Sequence, residues 1–390
     1  MSSPDLPRPF GPYTLIRRLA VGGMAEVYVA SAKGSAGFEK LVALKRIHPH
    51  LSSDPGFVSM LIEEAKLSVS LSHQNIVQTF DLGCIEDSYF IVMEHVEGYD
   101  LDQVLRALRE RREKLPVGVA AHVVAELCRG LAFAHQRIDD QGRPLHIVHR
   151  DVSPQNVLLS LAGEVKIADF GIAKTASRVS DAEAGVIKGK YFYMSPEQAW
   201  GDPLDYRSDI FSAGIVLWEL LVGETLHQAK HVQALLDDVR RAEVPPPSSL
   251  RAEVPAALDA IVARATAVEP SDRFSDAGAL ADAICEVLAA RSSVHPAVQI
   301  RALLAELEPL QPPEPLQTEL PKTRDRVITC PADDRPTPSG APVRFSLDDG
   351  EPTVAGWRSP KVPQQTRWLW WAVGVGSLLA ALGVWWLRRY

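Results

Sequence analysis

Between residues 309 and 367 the chain places 12 of its 29 prolines among serines, threonines and acids, with few aliphatic side chains. Such a stretch cannot bury enough apolar surface to offset the entropy of ordering it. Any folded core must therefore come from the residues before it. The 59 residues of 309–367 read as a linker, spanning roughly 40 Å as a flexible coil and roughly 180 Å as extended polyproline.

What the linker leads to is equally constrained. Residues 368–387, WLWWAVGVGSLLAALGVWWL, run twenty residues without a charge, about 30 Å as a helix and so the thickness of a bilayer core. Trp368, Trp370 and Trp371 mark one rim, Trp385 and Trp386 the other, and Arg367, Arg388 and Arg389 close the stretch. Indoles and arginines favour those levels, so 368–387 is expected to be a transmembrane helix. The alternative is a buried C-terminal helix, but such helices seldom stay uncharged for this length with tryptophan at both ends. Ala372, Gly376, Ala380 and Gly383 fall along one face, a small-residue stripe that would let two copies approach as a homodimer.

The remaining residues can supply a core, since the chain is 46% hydrophobic. A net charge of −8 gives no basic field to hold nucleic acid, which is not expected as a partner. Cys84, Cys128, Cys285 and Cys330 are far apart with no CxxC pair, which fits neither a disulfide framework nor a structural zinc site and suits a reducing cytosol. The start, MSSPDLPRPFGPY, lacks the charged start and apolar run of a secretory signal.

Residues 10–290 divide into two unequal halves with no internal repeat. The first, about 10–96, carries short β-type runs such as LVALKRI (41–47) and YFIVMEHV (89–96); the second, about 97–290, is mostly helical. The run 208–223 is apolar around most of its girth and so expected to be buried. A last amphipathic piece, 294–308, sets Ile300, Leu303, Leu304 and Leu307 on one face; it is expected to pack on the globular part, with a partner-binding helix as the alternative.

In LAVGGMAEVYVA (19–30), Gly22 and Gly23 lie between two strand-like runs, where backbone amides can approach a phosphate without Cβ hindrance. Alone this reads equally as a hairpin turn. It lacks the P-loop pattern GxxxxGK[ST]. Further along come a lysine inside a strand (VALK, Lys45), a glutamate on the next helix (Glu64), HRDVSPQN (149–156), DFG (169–171) and SPE (195–197). This ordered set resembles the protein kinase signature, and in particular the eukaryotic-like Ser/Thr kinases of bacteria, over roughly residues 13–285.

The resemblance implies an α+β, two-lobed protein-kinase-like fold and transfer of the ATP γ-phosphoryl group to Ser/Thr hydroxyls of proteins, the chain itself included. Such chemistry needs charge neutralisation around the triphosphate and an in-line hydroxyl. On that pattern Lys45 would hold the α- and β-phosphates with Glu64 as its partner. Asn156 and Asp169 would give oxygen ligands to Mg²⁺, or Mn²⁺ in its place. Asp151 would accept or orient the acceptor's hydroxyl proton. The carbonyl of Glu94 and amide of Val96 would meet the adenine edge, with Val27, Ala43 and Leu158 on its faces. Asp209 would bond the backbone of the catalytic loop, Glu197 and Arg273 would form an internal ion pair, and His149 and Phe170 would pack beneath the site.

Two departures stand out. Ala20 and Ala25 replace the first and third glycines of the phosphate loop, leaving Gly22 as the central match. Ser153 stands where the family carries a lysine near the γ-phosphate, and Lys190, in GKYFY, stands where Ser/Thr members carry threonine. Lys190 is expected to return the missing charge. Thr175, Ser177 and Ser180 are candidate phosphate acceptors in the activation loop, 172–194, and Asp181 and Glu183 could stand in for a phosphate there. The competing reading is a pseudokinase, a nucleotide-binding membrane scaffold. A small-molecule kinase is disfavoured by the SPE segment, which resembles one built to present a peptide. The kinase domain is expected in the cytoplasm, on the inner membrane of the cell, held by a single span at 368–387.

Overall fold

The computed structural model describes residues 6–33, 39–170, 189–227, 231–289 and 296–307; of Gly189 and Lys190 the backbone alone is described. These residues lie in one of the chain's two units, Met1–Val343. The linker and the span expected at 368–387 lie outside the described residues.

The first lobe is a six-stranded antiparallel sheet in the order β1-β2-β3-β4-β6-β5, from β1 (Arg8–Phe10), β2 (Tyr13–Val21), β3 (Ala25–Lys33), β4 (Glu39–Ile47), β5 (Thr79–Ile85) and β6 (Ser88–Glu94). Successive side chains on a strand alternate between faces. Val42 and Leu44 thus join Leu15, Tyr28, Phe90 and Val92 in one cluster, while Ile47 joins Ala25 and Ile91 on the opposite face. Lys45 lies two residues from Ile47 and opposite Val27 and Ile91, so the register places it on that second face.

The same face receives a helix. After the short α1 (Pro49–Ser52), α2 (Pro55–Val69) starts at Pro55 with Asp54 as its cap, accepting from the N–H groups of Gly56 and Phe57. Its buried residues, Phe57, Leu61, Glu64 and Ala65, follow the i, i+4, i+7, i+8 spacing of a core-facing stripe. Glu64 therefore points where Phe57 and Leu61 point, towards the sheet.

The second lobe is helical: α3 (Leu101–Arg111), α4 (Val117–His135), α5 (Pro196–Trp200), α6 (Arg207–Val222), α7 (Val232–Arg241), α8 (Pro247–Leu250), α9 (Ala256–Ala265) and α10 (Ala277–Ala289). Every residue of α6 from Ser208 to Val222 is buried, as its girdle of apolar residues requires. Among the described residues one helix, α4, is long and apolar enough to cross a membrane, yet it is mostly buried at the centre of this lobe. The amphipathic piece forms α11 (Pro296–Leu307), whose Ile300, Leu304 and Leu307 are buried in the lobe's core and whose last turn receives the Arg111 guanidinium on the Glu306 carbonyl at 2.9 Å.

A three-stranded sheet joins the lobes to the site: β7 (Gly98–Asp100), β8 (Val157–Ser160) and β9 (Val165–Ile167). Gly98 is required there, because a Cβ would stand 2.0 Å from the Leu159 carbonyl oxygen. Next to it Asp100 caps α3, accepting from the Gln103 N–H at 2.8 Å in a reciprocal capping box.

Burial pushes the Asp100 carboxyl up to about 6, against the lowering effect of the Gln103 hydrogen bond. The native state thus holds a proton that the unfolded chain releases, and stability is lost as pH rises from about 4 to 6. Asp100→Asn keeps the cap and removes the titration. Its melting temperature should gain on the wild type between pH 4.5 and 7; a difference independent of pH would contradict this reading.

Candidate active site

Lys45, on the cleft face of β4, forms an ion pair with Asp169, Nζ to Oδ1 2.6 Å. Burial disfavours its ammonium, but the carboxylates of Asp169, Glu64 and Asp151 outweigh that and raise its pKa above the ordinary lysine value. The lysine is thus charged at any physiological pH. Glu64 and Asp169 line one pocket with Lys45, Met93 and Phe170. Asp169 takes φ +58°, a left-handed conformation uncommon outside glycine, which marks a constrained position.

Asp151 lies 6% exposed on the loop that precedes a 3-10 turn, Pro154–Asn156. Asn156 Nδ2 donates to the Asp151 carbonyl at 2.7 Å and to its Oδ2 at 3.2 Å, so these two residues are fixed relative to each other. The loop is anchored from α6, where Asp209 Oδ2 accepts from the His149 N–H at 2.7 Å and Oδ1 from the Arg150 N–H at 2.8 Å. His135 Nε2 meets the same carboxylate at 2.8 Å. Burial alone would raise Asp209, but the hydrogen bond and charge of His135, with the hydrogen bond from the His149 N–H, hold it below the usual carboxylate range.

His149 Nδ1 accepts from the Asp151 N–H at 3.2 Å while Nε2 faces the Ala168 carbonyl at 3.0 Å. That pair of contacts requires the neutral tautomer with its proton on Nε2. With its ring 4.6 Å from that of Phe170, His149 links the loop to the strand end that carries Asp169. Ser153 is 2% exposed, and among the described residues its hydroxyl has no hydrogen-bond partner.

Where the resemblance implies the nucleotide, Val27 and Ala43 share the cleft face with Lys45, and Leu158 pairs with Asp100 and Lys166 on its two sides. Glu94 closes β6, Val96 follows it, and the Glu94 carboxylate binds Lys166 Nζ at 3.0 Å and the Gln78 N–H at 3.2 Å. Ala20 ends among the last residues of β2. In the turn that follows, the Gly22 N–H donates to the Ala25 carbonyl at 2.8 Å, and His48 holds the loop through the Gly22 carbonyl at 2.9 Å.

The helix that holds the SPE segment meets the Asp151 loop through Gln198. Glu197 and Arg273 form a two-bond ion pair at 2.7 and 2.8 Å, and Ser208 Oγ donates to the same carboxylate at 2.6 Å. Tyr193 Oη and the Arg109 guanidinium each reach the buried Glu219 at 2.5 Å. Ser195 and Gln198 cap α5 reciprocally, and Gln198 Nε2 donates to the Arg150 carbonyl at 3.0 Å. Residues 171–188 and the Lys190 side chain lie outside the described residues, with Thr175, Ser177, Ser180, Asp181 and Glu183 among them.

Lys45, Glu64, Asp151, Asn156 and Asp169 thus meet between the lobes. Sequence reasoning missed the Glu94–Lys166 pair, the Tyr193–Glu219–Arg109 set and Gln198. Only the last had a local signal, the S-x-x-Q pattern of a capping box.

Residues 13–287 match the protein kinase domain family. The tyrosine-protein kinase MasK of Myxococcus xanthus is 43% identical over 297 residues, 76% of this chain and 46% of that protein. The serine/threonine-protein kinase PknH of Mycobacterium bovis is 31% identical over 403 residues, 97% of this chain and 65% of that one. The chain spans about half to two thirds of the length of these relatives. The crystal structure of the Mycobacterium tuberculosis PknI kinase domain, C20A mutant, is 28% identical with a TM-score of 0.56, covering 73% of this chain and 99% of that one.

Proposed function

Because the chain belongs to the protein kinase family, we propose that it transfers the γ-phosphoryl group of ATP to Ser/Thr hydroxyls of proteins, itself included. The observation that carries this reading is the meeting of Lys45, Asp151, Asn156 and Asp169 across one cleft, with the Asp151 loop pinned from α6 by Asp209.

Lys45 neutralises triphosphate charge, and Glu64 keeps a carboxylate beside it when Asp169 turns to a cation. Asp169 and Asn156 fit a hard divalent ion: one gives carboxylate oxygen, and the other spends its Nδ2 on Asp151, which leaves the amide oxygen for a cation. Mg²⁺ there would neutralise phosphate charge. The Asp151 carboxylate orients the acceptor hydroxyl and takes its proton as the oxygen bonds to the γ-phosphorus and the bond from that phosphorus to the β,γ-bridging oxygen breaks, releasing ADP. The Glu94 and Val96 backbone would hold the adenine edge, between Val27 and Ala43 on one side and Leu158 on the other, beneath the loop of Ala20 and Gly22.

Tyrosine acceptors are the second reading, favoured because MasK is named a tyrosine kinase and because Lys190 replaces threonine. Phosphoamino-acid analysis of the full chain after incubation with labelled ATP separates the two. Phosphoserine or phosphothreonine supports the first reading, and phosphotyrosine alone the second.

In the same proposal Lys190 supplies the cation that Ser153 lacks. Lys190→Thr should lower turnover by about 10² to 10³, the effect of losing one preorganised charge, and Ser153→Lys on top of it should recover much of that. A loss within about threefold for Lys190→Thr would remove the idea. Residues 368–387 would tether the domain to the membrane. Their uncharged length and tryptophan rims support this, and the stripe of Ala372, Gly376, Ala380 and Gly383 would allow dimer contact.

A further inference from the structure

The backbone from the Arg150 N–H to the Asp151 N–H is held at three points. The Arg150 N–H donates to Asp209 at 2.8 Å, and the Asp151 N–H donates to His149 at 3.2 Å. The Arg150 carbonyl accepts from Gln198 Nε2 at 3.0 Å. Arg150 itself has φ +66°, a conformation that a non-glycine residue keeps only where its surroundings over-determine it. Asp209 and His149 belong to the lobe's core and to the loop. Gln198 does not, because it lies on the five-residue α5 directly after the turn Gly189–Tyr193.

Both ends of the Gln198 amide are used. Its Oε1 accepts from the Ser195 N–H at 3.0 Å and its Nε2 donates to the Arg150 carbonyl, while the Gln198 backbone N–H donates to Ser195 Oγ at 3.4 Å. One side chain therefore runs from the cap of α5 to the carbonyl just before Asp151. Gln198 also lines a small pocket with Asp151, Tyr193 and Met194.

We propose that Gln198 is a positioning residue for phosphoryl transfer, tying the segment beside which a protein acceptor docks to the carbonyl that sets the direction of Asp151. This rests on the kinase reading above. Order in the acceptor-side segment is thereby transmitted to the catalytic carboxylate, and loss of that order releases it. Misplacement of a reacting group by about 1 Å is enough to cost on the order of 10²-fold in rate.

The bland alternative is a helix cap and nothing more, and the two roles use different atoms. Glutamate keeps the acceptor for the Ser195 N–H, as it does in capping boxes generally, but has no donor for the Arg150 carbonyl. Lysine keeps a donor and loses the acceptor. A capping role ranks Gln198→Glu above Gln198→Lys; a positioning role ranks them the other way.

The test measures kcat, KM for ATP and melting temperature in the full chain and both variants, together with amide hydrogen exchange of the 149–156 segment. Gln198→Glu should lose about 10- to 100-fold in kcat with KM for ATP within twofold and the melting temperature kept, and should speed exchange in 149–156. Gln198→Lys should recover most of the kcat and the protection. Wild-type kcat and exchange in Gln198→Glu overturn the proposal. If the wild type transfers no phosphate, the kinase reading fails, and exchange alone decides this tie: protection unchanged in Gln198→Glu overturns it. Should the glutamate variant not fold, loss of both rate and protection in Gln198→Lys overturns it equally.

Discussion

Asp151→Asn is expected to lower the phosphoryl-transfer rate by about 10² to 10⁴, or about 3 to 5 kcal/mol of barrier, while nucleotide affinity stays within a few-fold. Asparagine has the same shape and keeps an oxygen for the Asn156 Nδ2 that now sits 3.2 Å from Asp151 Oδ2. The loop should therefore hold its geometry, since its anchors are the His149 and Arg150 amides on Asp209. What is lost is the capacity to take the acceptor's proton. Steady-state turnover with a protein acceptor, set beside calorimetric nucleotide binding, checks this. A variant within tenfold of wild type would show that Asp151 is not the base.

Glu197→Ala should produce the largest loss of stability. The Arg273 side chain is 0% exposed, and without its partner it keeps, among the described residues, the carbonyls of Ala267, Arg207 and Val268 and the face of the Phe211 ring around a buried cation. Removing one member of a buried pair costs about 3 to 5 kcal/mol, a large share of the 5 to 15 kcal/mol typical of a folded chain. At roughly 2 to 4 °C per kcal/mol for a domain of this size, the melting temperature should fall by about 6 to 20 °C.

The wild-type pair carries a pH signature as well. Burial alone would raise Glu197, but the hydrogen bonds from Arg273 and Ser208 hold it below its ordinary value. Its contribution is present above the unfolded carboxylate pKa and is lost as pH falls through the lower folded value. The gap between wild type and Glu197→Ala should therefore narrow in acid. A melting temperature within 2 °C of wild type at pH 7 would contradict the account.

Much of this was legible in the chain, for particular reasons. LVALKRI reads as a strand from its β-type run, although the side of β4 that carries Lys45 is settled only by its pairing opposite Val27 and Ile91. The stripe through Phe57, Leu61 and Glu64 that turns α2 to the sheet is likewise seen only in the structure. The partners of Asp209, Glu197 and Arg273 came from the resemblance, and the hydrogen bonds described here agree with it. Glu94 is assigned to the adenine edge through its backbone, and nothing local signals that its carboxylate faces Lys166, because the two stand on strands of different sheets, β6 and β9, that only the folded chain brings together. The raised Asp100 was equally out of reach, since it depends on how deeply packing buries a cap. Lys45 was expected beside Glu64, and its 2.6 Å contact with Asp169 reflects two lobes meeting, which a linear pattern does not encode.

The most direct test of the central claim is label transfer by the full chain incubated with γ-labelled ATP and Mg²⁺, wild type beside Asp151→Asn. The account predicts covalent label on serine or threonine of the wild-type chain and its near absence from the variant. Nucleotide bound by the wild type with no label transferred, in Mg²⁺ or in Mn²⁺, would contradict it.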